Sequence, residues 1–220
     1  MCGRFNLSEN PRTIARHFGL ADVPDLRPRY NVAPSQPVAV VGLKPGGGTR
    51  GLVLMRWGLV PRWAGSDDGP KPINARAETV LDRPTFRDSF RQRRCLIPAS
   101  GFYEWRKAGG RKQPYHVRRR DGLPLAFAGL WDRWDGPNGP LFTCCIITTA
   151  ANDLVKPLHD RMPAILGPED FARWLDPVAR PDQLLPLLRP CSSDVLEAVP
   201  VGTAVNSPKN DGPECLGPVA

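Results

Sequence analysis

Twenty-six prolines and 21 glycines interrupt this 220-residue chain. Proline fixes φ and removes a backbone donor, and glycine punctuates regular structure. The sequence therefore suits many short strands and turns rather than long elements. Helix signals are correspondingly brief. In NPRTIARHFG, Asn10 is the cap, Pro11 takes the first helical position and Gly19 is the stop. RPTFRDSFRQRR reads as a short basic helix, and GPEDFARWLD and PDQLLPLLR read as helical. QPVAVVGL and RGLVLMRWGLV flank KPGGGT, the pattern of a hairpin with a flexible tip. CLIPASGFYEW, PYHVRRRDGLPLAFAGLW, LFTCCIITTA and DVLEAVPV read as strands, with Asp121-Gly122 as a turn. The expected fold class is α+β: a mainly antiparallel sheet curled toward a barrel-like core, with helices at its periphery. At this length one domain over residues 1–220 is expected, with 208–220 as a tail or surface strap.

Cysteines stand at positions 2, 95, 144, 145, 191 and 215, with no C-x-x-C pair, and there are three histidines. That spacing matches no zinc ribbon or finger, so no metal is expected. Cys144 and Cys145 are adjacent on an expected strand, so they point to opposite faces as packing residues. No cationic leader opens the chain, and no apolar run approaches the ~18 residues of a membrane span. A reducing cytoplasm with free thiols is the expected setting. Thirty basic residues against 22 acidic ones leave a net charge of +8. That favours an anionic partner, nucleic acid foremost, although an inert basic surface accounts for it equally well.

Four polar clusters lie in apolar or aromatic surroundings: MCGRF, PINARAET, GFYEW and PLHDRMP. Loss of Met1 would leave Cys2 with a free α-amine and a thiol on one carbon, each partly nucleophilic near neutral pH. An aldehyde meeting that pair forms an imine and then a thiazolidine. The plainer reading of Cys2 is a buried strand residue. On a GFYEW strand, Phe102 and Glu104 share one face, with Tyr103 and Trp105 on the other. A desolvated Glu104 would titrate near neutrality and serve as acid and base; the alternative is an edge glutamate with its head in water. His159, beside Asp160, is either a proton shuttle or structural. Asn74 either orients an amine or sugar hydroxyl or is a turn residue after Pro72.

Arg4, Arg76 and Arg161 each follow one of these residues by two positions. If the clusters converge, the three arginines ring the site and suit phosphate. Trp57, Trp63 and Phe86 are candidate platforms for stacked bases, or else core residues. The run Arg118-Arg119-Arg120 before the Asp121-Gly122 turn reads as a solvated hairpin end.

Taken in order, MCGRF, YNVAPSQ, RWGLVPRW, INARAET, RCLIPASGFYEW, AGLW, TTAAN and HDRMPAIL resemble the signature blocks of the SOS response-associated peptidase (SRAP) family. VNSPKNDGPE is similar to the family's terminal block. The resemblance implies a single SRAP domain that binds single-stranded DNA and cross-links covalently to abasic sites, without a cofactor. It implies Cys2 as the nucleophile after loss of Met1, and Asn74, Glu104 and His159 as active-site residues. Arg4, Arg76 and Arg161 match positions used around DNA phosphates. A weak strand-nicking lyase activity is an expected side reaction. Two other readings use the same residues: a cysteine peptidase acting on its own Met1, and a non-covalent reader of damaged or modified DNA. A monomer is expected.

Overall fold

The computed structural model describes residues 2–219; Met1, whose loss is expected from the sequence, lies outside them. The strands are β1 (Phe5–Leu7), β2 (Arg29–Val32), β3 (Pro37–Leu43), β4 (Arg50–Trp57), β5 (Asn74–Arg76) and β6 (Arg94–Ala99). They continue with β7 (Gly101–Ala108), β8 (Arg111–Arg119), β9 (Leu125–Gly136), β10 (Gly139–Ala150), β11 (Arg161–Pro163) and β12 (Leu196–Pro200). The helices are α1 (Pro11–Phe18), α2 (Pro84–Gln92), α3 (Phe171–Leu175) and α4 (Pro181–Leu184). No helix among the described residues is long and apolar enough to cross a membrane.

The fold is α+β and mostly antiparallel. One sheet runs β12-β8-β7-β1-β2. In the other, β3, β4, β10, β9 and β6 pair in a closed ring, with β5 and β11 added to β10. Only β4 and β5 run parallel to their partner, β10. β3, β6 and the central stretches of β9 and β10 are buried on both sides, which explains their continuous apolar runs, whereas Val53 and Leu54 of β4 are exposed. Along β3, Ala39 and Val41 share a cluster with Ile14, Phe18, Phe90 and Phe171 of the helices. Val38 and Val40 pack instead with Phe5, Val32 and Phe102 of the five-stranded sheet. Cys144 and Cys145 divide between the same two clusters, both fully buried free thiols.

α1 follows its sequence signals. The Asn10 side chain accepts from the Arg12 N–H at 2.8 Å, and Gly19 closes the helix at φ 62°. Phe18 stacks on Phe171 with ring centroids 5.4 Å apart.

Two connections differ from the strand pattern of the sequence. CLIPASGFYEW is two strands in different sheets, turned at Ser100. The Ser100 hydroxyl accepts from the backbone N–H groups of Ser8 and Glu9, satisfying donors at the corner. Gly101 is required there because a Cβ would fall 2.2 Å from His116 Nε2. The turn at Asp121-Gly122 is a crossover from one sheet to the other, not a hairpin end. Two of its three arginines are paired, Arg118 with Glu197 at 2.8 Å and Arg119 bidentately with Asp121, while Arg120 is exposed.

After β12 the chain straps across β2 and β7. Asn31 donates its amide to the carbonyls of Val205, Ser207 and Asn210, and Asp211 accepts from the backbone of Tyr30 and Asn31. This strap carries Asn206 to the wall of the site described next.

Candidate active site

β1 and β7 bring the first cluster to the third. Phe5 lies opposite Phe102, and the Tyr103 N–H donates to the Arg4 carbonyl at 3.0 Å. The residues ahead of β1 thus run alongside Glu104. Cys2 is fully buried, packed with Phe5, Trp57 and Ile146. Burial pushes its thiol well above the usual cysteine value, and the Glu104 carboxylate adds to the rise. Glu104 is 4% exposed. Burial raises its carboxyl to about 7, and the Asp160 carboxylate pushes the same way. Glu104 is therefore not an edge glutamate with its head in water.

β5 brings in the second cluster by pairing parallel to β10, with Asn74 opposite Ile146. Asn74 Nδ2 donates to the Cys2 carbonyl oxygen at 2.9 Å. Asn74 Oδ1 is buried with no hydrogen-bond partner among the described residues. An unfilled buried acceptor beside Cys2 is costly unless a donor occupies it in the working state.

His159 ends a turn in which its N–H donates to the Val155 carbonyl at 3.0 Å. Its Nδ1 accepts the Arg161 backbone N–H at 2.9 Å, which leaves the proton of the neutral ring on Nε2. Asp160 Oδ1 also lies 2.8 Å from Nδ1. That contact alone would favour the charged ring, but the Asp160 side chain is 85% exposed and screened by water. Burial prevails, and His159 titrates below the ordinary histidine value.

Gly3, Arg4, Glu104 and His159 line one cavity of about 880 Å³. Trp105, Lys107, Lys112 and Asn206 complete much of its wall, and sequence reasoning singled out none of them. The signal for the lysines is their equal spacing about the Gly109-Gly110 turn in KAGGRK. Trp105 Nε1 donates to Asn206 Oδ1 at 2.7 Å, locking the strap to β7. Among the described residues, no group of three or more His, Cys, Asp or Glu side chains is placed to hold a metal.

The three arginines differ. Arg4 reaches the cavity, but its guanidinium donates to Asn31 Oδ1 at 2.7 Å and to the Val205 carbonyl at 2.9 Å, holding the strap. Arg161 makes a bidentate pair with Glu78 at 2.6 and 2.8 Å and donates to the Thr148 carbonyl. Arg76 is exposed and sits two residues after Asn74 on β5, on the same side of the strand.

The aromatics also separate. Trp57 is fully buried and donates from Nε1 to the Ile73 carbonyl at 2.9 Å. It is a core residue and cannot receive a base, because its side chain is fully enclosed in the cluster that holds Phe5 and Ile146. Trp63 is 61% exposed. It lines a second cleft of about 630 Å³ with Phe86 and the 64–71 loop.

The family profile described as "SOS response associated peptidase (SRAP)" matches residues 1–208. The abasic site processing protein YoqW of Bacillus subtilis (strain 168) is 44% identical, over 98% of this chain and 99% of its own. The abasic site processing protein HMCES of Gallus gallus is 38% identical, over 88% of this chain and 67% of its own. A crystal structure of a protein from Bacteroides thetaiotaomicron covers the whole of both chains at a TM-score of 0.89 and 26% identity. The chain belongs to the SOS response associated peptidase (SRAP) family.

Proposed function

We propose that this protein captures abasic sites in single-stranded DNA through the amine and thiol of Cys2, once Met1 has been removed. The observation that carries the reading is the Asn74 contact: its amide N–H holds the Cys2 carbonyl, and its buried oxygen has no partner among the described residues. An amine on Cys2 is the matching donor. The names of the relatives point to abasic DNA as substrate, and the net charge of +8 suits a polyanion.

An abasic deoxyribose equilibrates with an open-chain aldehyde at C1′. Glu104, titrating near 7, is matched to moving protons to and from the sugar oxygens as the ring opens. The Cys2 amine then adds to C1′, forming a C–N bond, and loss of one water gives the imine. The Nε2–H of His159 donates to the departing oxygen. The thiol, kept protonated by burial, adds to the C=N bond. Its sulfur bonds C1′, and Glu104 takes the thiol proton while the nitrogen gains one. The product is a thiazolidine, and the net change is loss of one water. An imine that fails to close loses a C2′ proton and the 3′ phosphate instead, which nicks the strand. That is the source of a weak lyase activity.

The test is digestion of the adduct to its N-terminal peptide. The sugar remnant should lie on a peptide beginning at Cys2 whose thiol no longer reacts with iodoacetamide. A remnant on a lysine, or an alkylatable Cys2 in the adduct, would refute the mechanism. Met1 loss in cells lacking methionine aminopeptidase would show that the chain also acts as its own peptidase.

A further inference from the structure

β7 and β8 form a hairpin that lines the cavity near its tip, which is a two-residue turn. Ala108 lies opposite Arg111, and Gly109 and Gly110 take φ of 54° and 77°. Both turn residues are left-handed, as the tightest hairpins require, so the strands keep their register up to the turn. That register sets Lys107 directly opposite Lys112. Residues opposite each other project from the same face, with Cβ atoms about 5 Å apart. On β7 the face is that of Trp105, two residues back. Both lysines are exposed, and both line the cavity that holds Glu104 and His159.

Like charges directly across a sheet destabilise the pair. Among the described residues, neither ammonium group makes an ion pair. Glu104 is the only carboxylate among the described residues lining the cavity. Arg4, the one arginine among those described residues, spends its guanidinium on the strap. A phosphate between two lysines would turn the repulsion into two charge-assisted hydrogen bonds.

We propose that Lys107 and Lys112 form a phosphate-binding clamp in the wall of the cavity, holding the DNA strand beside Glu104 and His159. The inference rests on the function proposed above and adds a site to it. The shared chemistry is a phosphate, either an internal phosphodiester or a phosphate at a strand end.

The test uses single-stranded oligonucleotides carrying a tetrahydrofuran abasic analogue, which has no aldehyde and cannot cross-link. Affinity is measured against salt for the wild type, Lys107→Gln/Lys112→Gln and Lys107→Arg/Lys112→Arg. For single strands, log K falls with log salt by about 0.7 per neutralised phosphate. The glutamine pair should bind several-fold more weakly at low salt, with a slope shallower by about 0.7 to 1.4. The arginine pair should keep the wild-type slope. A change seen with the analogue placed internally identifies a phosphodiester. A change seen only when the analogue adjoins a terminal phosphate identifies an end. An unchanged slope in the glutamine pair, with or without weaker binding, overturns the clamp. If the wild type binds the analogue strand and cross-links a natural abasic site, that failure belongs to the clamp alone. A wild type that binds no single strand overturns both.

Discussion

Asn74 reaches across from β5 to donate its amide N–H to the Cys2 carbonyl at 2.9 Å. The contact joins residues 72 positions apart and holds the chain's second residue within the core. Asn74→Ala removes that donor and leaves a buried carbonyl unsatisfied, a loss of about 1–3 kcal/mol. If that loss falls on the reactive geometry, adduct formation should slow by roughly 10- to 100-fold. Single-turnover rates on a denaturing gel read this directly. A rate within twofold of wild type would show that Asn74 does not position the nucleophile.

Glu104 should impose its titration on the reaction. With a carboxyl near 7, the adduct rate should bend near that pH, and Glu104→Gln should be slower and flatter across it. The same shift has a cost in stability. The folded carboxyl binds its proton up to about 7, while the unfolded one releases it near 4.5. Between those values the folded state holds more protons, so stability falls as pH rises. Above 7 the cost reaches about 3 kcal/mol. Glu104→Gln should therefore melt several degrees higher than wild type at pH 8 and nearly level with it at pH 5. Equal melting temperatures at pH 8 would contradict the buried, raised carboxyl.

Arg76 and Arg161 should separate by assay. Arg76 is exposed, so Arg76→Ala should make the salt dependence of single-strand binding shallower by about 0.7 with little change in melting temperature. Arg161 is bound to Glu78 and the Thr148 carbonyl with 12% of its side chain exposed, so Arg161→Ala should cost roughly 1–3 kcal/mol of stability. The pair holds Glu78 below its ordinary value, chiefly through the Arg161 hydrogen bond. Its contribution is present at neutral pH and lost as pH falls through the lowered value of Glu78. Urea unfolding of both variants, at neutral and acidic pH, checks the division.

The two tryptophans offer a parallel contrast. Trp63→Ala should weaken single-strand binding by about 1–3 kcal/mol if one base stacks on it, leaving folding unchanged. Trp57→Ala empties a buried site in the core and should cost about 3–5 kcal/mol of stability. Anisotropy titrations and thermal melts distinguish them.

These contrasts show where sequence reading was informative. The α1 caps are local, so Asn10, Pro11 and Gly19 were legible without the fold. The faces of GFYEW were legible from strand alternation, and Phe102 and Tyr103 do enter different clusters. What separates Trp57 from Trp63 is the pairing of β4 with β10, a contact between residues more than 80 positions apart. Likewise, Arg76 and Arg161 look equivalent as motif neighbours until Glu78 is seen to occupy one of them. The opposed lysines needed a strand register that depends on the turn at Gly109 and Gly110.

The most direct measurement is the intact mass of the purified protein before and after incubation with a single-stranded oligonucleotide bearing one natural abasic site. The account predicts a chain that lacks Met1 and gains the oligonucleotide mass less one water, in a product that survives heat and denaturant and is not formed by Cys2→Ala. A chain that lacks Met1 and gains nothing, or a Cys2→Ala variant that forms the same stable product, would contradict it.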